Sequence, residues 1–279
     1  MDGLVAEPVS ALSEGQLARV QAIYEEAFHP DLRVPFGELT TPGRVDQTFV
    51  ALEGAVPAGV AALRLLGSVQ WSFLRYFAIT GERRSQGLGR RFWRLLYPLL
   101  RAQDWPTRVV FEVEDPGEAA GAQAERVIRQ RRMAFWTACG ARLLPAPGYV
   151  LPDYTGSGVT EPMLLMAASP PVDGGQLRQL VLAIYTDRYG LPPTDPPVRR
   201  ALASIAACAR TGRKAAGGGH DPGELRGHIE LGQVGGPGLD LGAAQRAQRS
   251  MVRWCSQKNR HISPLNGSAS AAHTTSPTG

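Results

Sequence analysis

The chain has 279 residues, 43% of them hydrophobic, and a formal net charge of +5. This is enough apolar material for a sizeable core, yet no run reaches the roughly 18–20 apolar residues that cross a bilayer. The first ten residues lack the basic-then-apolar order of a secretory signal, so a cytoplasmic protein is expected.

Ser13 stands as an N-cap before Leu17, Val20, Tyr24, Ala27 and Phe28, whose spacing predicts an amphipathic helix that His29-Pro30 ends. A loop or short helix then runs to Arg44. Three apolar runs follow, 48–53, 58–66 and 71–80, separated by turn residues at Gly54 and at Gly67-Ser68. Closely spaced strands with such turns predict an antiparallel meander. Residues 81–89 are polar and carry glycine. The run 88–100 has a helical apolar face, with Pro98 expected to kink or shorten it. A strand at 109–113, a helix at 124–138 capped by Gly140, and strands at 142–151 and 163–168 complete an α/β unit.

Beyond this unit, residues 174–189 and 197–209 read as two helices. They are expected to pack on the domain or on a second subunit, which makes a homodimer a candidate assembly. From residue 211 the chain turns to Gly, Ser, Thr and Ala clusters that cannot bury enough apolar surface to offset ordering, so 211–279 is read as a disordered tail. The expected organisation is thus a domain over 1–169, a helical extension over 170–210 and a tail. Cys139, Cys208 and Cys255 are scattered without a CxxC pair or a Cys/His cluster, so neither a metal site nor a disulfide framework is expected. Only Lys214 and Lys258 among the 30 basic residues are lysines, a sign of arginine usage rather than of a nucleic-acid footprint. No interleaving of aromatic and basic residues argues for nucleic acid.

The segment with chemical content is Arg84-Ser85-Gln86-Gly87-Leu88-Gly89. A strand feeding a helix through a glycine bend leaves backbone N–H groups pointing one way, at the positive end of the helix dipole. This makes an anion site suited to a pyrophosphate. Arg83, Arg84, Arg90 and Arg91 add charge. A Walker A loop needs a Gly-Lys-Ser/Thr ending that is missing here, and Phe92 replaces the third glycine of a dinucleotide fingerprint. What remains is Arg-x-x-Gly-x-Gly.

That motif, the meander before it and the run 132–141 with Phe135-Trp136 and Gly140 resemble the GNAT superfamily of N-acetyltransferases over about residues 10–169. The resemblance implies a mixed, largely antiparallel sheet of about six to seven strands with flanking helices. It implies acetyl-CoA as co-substrate and no metal. Backbone groups of Phe77, Ala78 and Ile79 would hold the pantetheine arm, and those of Arg84, Ser85, Gln86, Gly87, Leu88, Gly89 and Arg90 the pyrophosphate. The implied reaction is direct attack of a primary amine on the thioester, which needs a base and an acid. The family often places a tyrosine where this chain has Trp136, so the acid must come from elsewhere. The candidates are Glu112 and Glu114, which share one side of their strand, and Tyr76, Tyr149 and Tyr154. The replaced tyrosine also leaves open a second reading, a catalytically weak acyl-CoA-binding member that senses or regulates.

Overall fold

The computed structural model describes residues 3–41, 43, 45–119, 122–153 and 160–216, with side chains described through residue 207. The chain starts with a strand that sequence reading missed, β1 (Leu4–Pro8). Only Leu4 of its five residues is buried and it ends in proline, which hides the alternation a strand normally displays. Helix α1 (Glu14–Ala27) follows, with Ser13 and Gln16 closing a full capping box. A short α2 (Phe36–Thr40) leads into the meander β2 (Asp46–Glu53), β3 (Val56–Leu66) and β4 (Trp71–Ile79).

Helix α3 (Leu88–Ala102) continues past Pro98 and is not shortened there. Pro98 and Arg94, whose carbonyl loses its partner, are both exposed, so water can take the freed acceptor. Leu96 and Leu100 meanwhile stay in the core on either side. Then come β5 (Val109–Glu114) and α4 (Gln123–Ala138), with Gly140 at φ +89° ending the latter in the left-handed region. The expected strand 142–151 is two short ones, β6 (Arg142–Leu143) and β7 (Val150–Leu151), split by Pro145, Pro147 and Gly148. Strand β8 (Glu161–Ala168) is followed by α5 (Gly174–Ala183), a π-helical turn at Ile184–Arg188, and α6 (Pro196–Ala216). Residues 211–216, read from sequence as the start of the tail, therefore lie in α6. The rest of that tail and Tyr154 fall outside the described residues.

The strands form one eight-stranded sheet in the order β1-β2-β3-β4-β5-β8-β6, with β7 also on β8. All pairings are antiparallel except β4–β5. One face is covered by α3 and α4, around Phe92, Trp93, Leu96, Phe111 and Trp136. The other is covered by α1 near Val50, Val60 and Ala78. On that face α5 and α6 pack near Phe73, Val110 and Leu165.

Candidate acyl-transfer site

Strands β4 and β5 touch only at their beginnings. The parallel register holds Ser72 against Val109 and Phe73 against Val110, and then stops. The cause is visible two residues later. Between β3 and β4 the register jumps from Ala62↔Tyr76 to Leu63↔Leu74, which leaves Arg75 as an extra residue on β4. A bulge of this kind bends its strand and raises the local twist, and β4 swings away from β5. The far side of β5 stays paired to β8 as far as Glu114↔Met163. A gap therefore opens along β4 from Leu74 onward.

The main chain of β4 faces this gap at alternate residues. Thr80 N–H donates to the Ala58 carbonyl at 3.0 Å, so Thr80 and Ala78 turn their backbone groups toward β3. Phe77 and Ile79 turn theirs toward the gap. The Ile79 carbonyl accepts from Arg84 Nε at 3.2 Å.

At the end of β4 lies the glycine bend. Arg83 N–H donates to Thr80 and Arg84 N–H to Gly81, and the next backbone donor with an acceptor is Arg91, bonded to Gly87 at 3.2 Å. The six N–H groups from Ser85 to Arg90 find no acceptor among the described residues. Ser85 at φ +62° and Gly87 at φ +79° give the bend its shape. Gly87 is the N-cap of α3, in a conformation that costs a Cβ-bearing residue energy. Gly89 is needed for another reason: an added Cβ would lie 3.2 Å from the ring of Phe135 on α4. The arginines of the bend rest on carboxylates, Arg83 on Glu53 at 2.7 Å and Arg84 on Glu26 at 3.5 Å. Both pairs are largely exposed, so they are worth little and are easily exchanged for another anion.

Glu112 stands on β5, the strand across the gap, with its side chain on the face that α5 and α6 cover. Its carboxylate accepts hydrogen bonds from the hydroxyls of Tyr149 and Tyr189, the latter at 2.7 Å from both oxygens. Burial pushes the Glu112 pKa up to about 7, while the Tyr149 hydrogen bond and the Arg188 charge pull the other way. Desolvation wins because it acts on the whole carboxylate, and the group sits poised near neutrality.

The other sequence-derived candidates are placed differently. Glu114 pairs with Arg132 of α4, so the two carboxylates of β5 serve separate partners. Neither meets Arg75, which pairs instead with Asp46 at 3.0 Å. Asp46 also holds Arg64 at 2.7 Å. The Tyr76 hydroxyl donates to the Leu32 carbonyl at 2.8 Å and accepts from Val34 N–H at 3.2 Å, tying the loop after α1 to the sheet. Trp136 packs among Phe77, Trp93, Phe111 and Phe135, inside the core under α4. Sequence reading did not single out Tyr189 or Arg188. Among the described residues no cluster of His, Cys, Asp and Glu could hold a metal ion. No helix there is long and apolar enough to cross a membrane.

A solved structure from Bacteroides thetaiotaomicron, assigned to the acetyltransferases of the GNAT family, matches 67% of this chain and 99% of its own, with a TM-score of 0.53 at 20% identity. This chain has the GNAT fold. Two further matches score lower. An aminoglycoside 6'-N-acetyltransferase complexed with coenzyme A covers 61% of this chain and 99% of its own, at a TM-score of 0.44 and 14% identity. The ribosomal-protein-S18-alanine N-acetyltransferase from Escherichia coli covers 61% of this chain and 96% of its own, at 0.41 and 16%. No family model matches the sequence, and no curated protein matches it. In this chain the gap between β4 and β5 and the bend before α3 meet at the end of β4, where the unpaired donors gather.

Proposed function

We propose that the chain is an acyltransferase of the GNAT superfamily that moves an acetyl group from acetyl-CoA to a primary amine. The observation that carries this reading is the run of unpaired N–H groups from Ser85 to Arg90, at the N-terminus of α3 and at the end of the opened β4 edge. Six donors without acceptors at the positive end of a 15-residue helix suit a diphosphate. Phe77 and Ile79 offer strand-like groups to an amide-bearing arm in the gap. The Phe77 N–H is oriented to polarise a thioester carbonyl, an oxyanion-hole role. Arg83, Arg84 and Arg90 supply screening charge from the rim.

In the proposed reaction the amine nitrogen forms a bond to the thioester carbon, and Glu112 takes the proton that nitrogen sheds. The carbon–sulfur bond then breaks, and the Glu112 carboxyl returns that proton to the departing thiolate. A base of pKa about 7 is half ionised at neutral pH and can do both. Tyr149 holds the carboxylate through its hydroxyl. Tyr76 and Glu114 are structural on this reading, since each is bound to another element. A cytoplasmic location suits this reading, because acetyl-CoA is supplied there.

The test is release of free CoA thiol from acetyl-CoA, followed across a panel of primary amines from simple alkylamines to amino-acid amides and aminoglycosides. Amine-dependent release above the hydrolytic background is expected for at least one class. Uniform background rates would remove the transferase reading in favour of a protein that binds acyl-CoA without turnover.

A further inference from the structure

We infer that the segment beyond the last strand completes the proton-accepting site, with Tyr189 acting as a positioning residue that holds the Glu112 carboxylate and Arg188, stacked on the Tyr189 ring, supporting it. The chemistry of this inference rests on the acyl-transfer reading; its geometry does not.

On its own strand Glu112 has no help. Its β8 neighbour across the ladder is Leu165, and the nearest paired residue of β4 is Phe73. Among the described residues, the groups that face the carboxylate come from two places. The stretch before β7 supplies the Tyr149 hydroxyl. The end of α5 supplies Tyr185, Arg188 and Tyr189. Tyr185 gives nothing to the carboxylate, because its hydroxyl donates to the Val150 carbonyl at 2.9 Å and accepts from Val150 N–H at 3.2 Å. Its own pKa is pushed up to about 12, chiefly by burial, so it stays neutral. Tyr189 is the donor that reaches both oxygens, and Arg188 is the cation whose charge lowers the Glu112 pKa.

The segment is built to hold these two residues still. Helix α5 passes into the π turn at Ile184–Arg188, whose extra residue per turn redirects the side chains that follow. Asp187 ties the turn to the β3–β4 connection by accepting from Ser68 N–H at 3.2 Å and from its hydroxyl at 2.8 Å. Gly190, at φ +68°, closes the turn, and Leu191 N–H returns to the Tyr185 carbonyl at 2.9 Å. The Arg188 guanidinium lies 4.9 Å from the Tyr189 ring centre and 6.0 Å from that of Phe73. Phe73 is the last residue of β4 still paired with β5. The clamp thus sits where the two strands part. A tyrosine that merely filled space there would have no need to address both carboxylate oxygens.

The deciding experiment titrates the Glu112 side-chain carboxyl by carbon NMR in the full-length protein, with labelled glutamate and the signal assigned by its loss in Glu112→Gln. Wild type should show a midpoint near neutrality. Tyr189→Phe should move that midpoint up by about one pH unit, the usual effect of losing a donor to the charged form. Arg188→Gln should move it up as well, and decides alone if Tyr189→Phe does not fold. Folded variants with unmoved midpoints overturn the inference, because a purely packing role changes stability and not this titration. Acetyl-CoA binding by calorimetry is measured alongside. Shifted midpoints without acetyl-CoA binding would sink the acyl-transfer reading and leave the clamp standing; binding with unmoved midpoints would do the reverse.

Discussion

The bend before α3 and the pocket around Glu112 are two kinds of site in one molecule. The bend is made of main chain: its donors are six backbone N–H groups, and its shape is set by Ser85 and Gly87 at positive φ. Its charged side chains lie on the rim in exchangeable ion pairs. The site around Glu112 is made of side chains drawn from β5, the stretch before β7 and the end of α5, and its carboxyl pKa is pushed up by burial. A main-chain site needs only the right few dihedrals, so it tolerates most side-chain changes and fails when a glycine is lost. A side-chain site fails when one atom is replaced.

The sharpest way to separate the two is Glu112→Gln. It keeps the size of the side chain and removes the base, so amine-dependent transfer should fall by about 10²–10⁴-fold, the usual weight of general base catalysis. The Kd for acetyl-CoA should stay as it was. A parallel loss of acetyl-CoA affinity would mean that the two regions are not independent.

The complementary change is Gly87→Val with Gly89→Leu. The first forces a β-branched residue into the left-handed region, and the second drives a side chain into the Phe135 ring. Acetyl-CoA affinity should weaken by about tenfold or more, since 1–3 kcal/mol of strain is enough for that. Glu112 should keep its titration midpoint.

A third difference lies in stability. The folded-state pKa of Glu112 is about 7, against an ordinary value of 4.5. The folded protein therefore binds more protons than the unfolded chain between those values, and stability falls as pH rises through that window. Above it the full penalty remains. Glu112→Gln removes the ionisation, so at mildly alkaline pH it should stabilise the protein by roughly 2–3 kcal/mol and raise Tm by several degrees. In acid below the ordinary carboxylate range the two proteins should melt alike. Thermal scans at the two pH values check this.

The smallest effect is expected from Tyr76→Phe. The variant loses two hydrogen bonds to the loop after α1, worth about 1 kcal/mol. It should leave acetyl-CoA affinity unchanged, as measured by chemical denaturation and by binding in turn.

What sequence reading could reach follows the same division. The N-cap at Ser13, the meander, the bend and the Gly140 cap are written in local residue types, and each was legible. Strand β1 was not, because one buried residue in five gives no alternation. Pro98 misled because its cost depends on which face it occupies, and here that face is wet. In the pocket, Glu112 and Tyr149 could be singled out as polar residues near strand ends. Tyr189 could not, since its contact spans 77 residues and depends on a π turn with no sequence signature. The bulge that opens the gap is likewise invisible in the string Leu74-Arg75-Tyr76, as it arises from pairing with β3.

One measurement bears on the central claim most directly: calorimetric titration of the full-length protein with acetyl-CoA, for wild type and for the Gly87→Val, Gly89→Leu variant. Saturable one-to-one binding by wild type, weakened at least tenfold in the variant, is the expected result. No binding by wild type, or binding that the glycine changes leave untouched, would contradict a diphosphate held by the bend before α3.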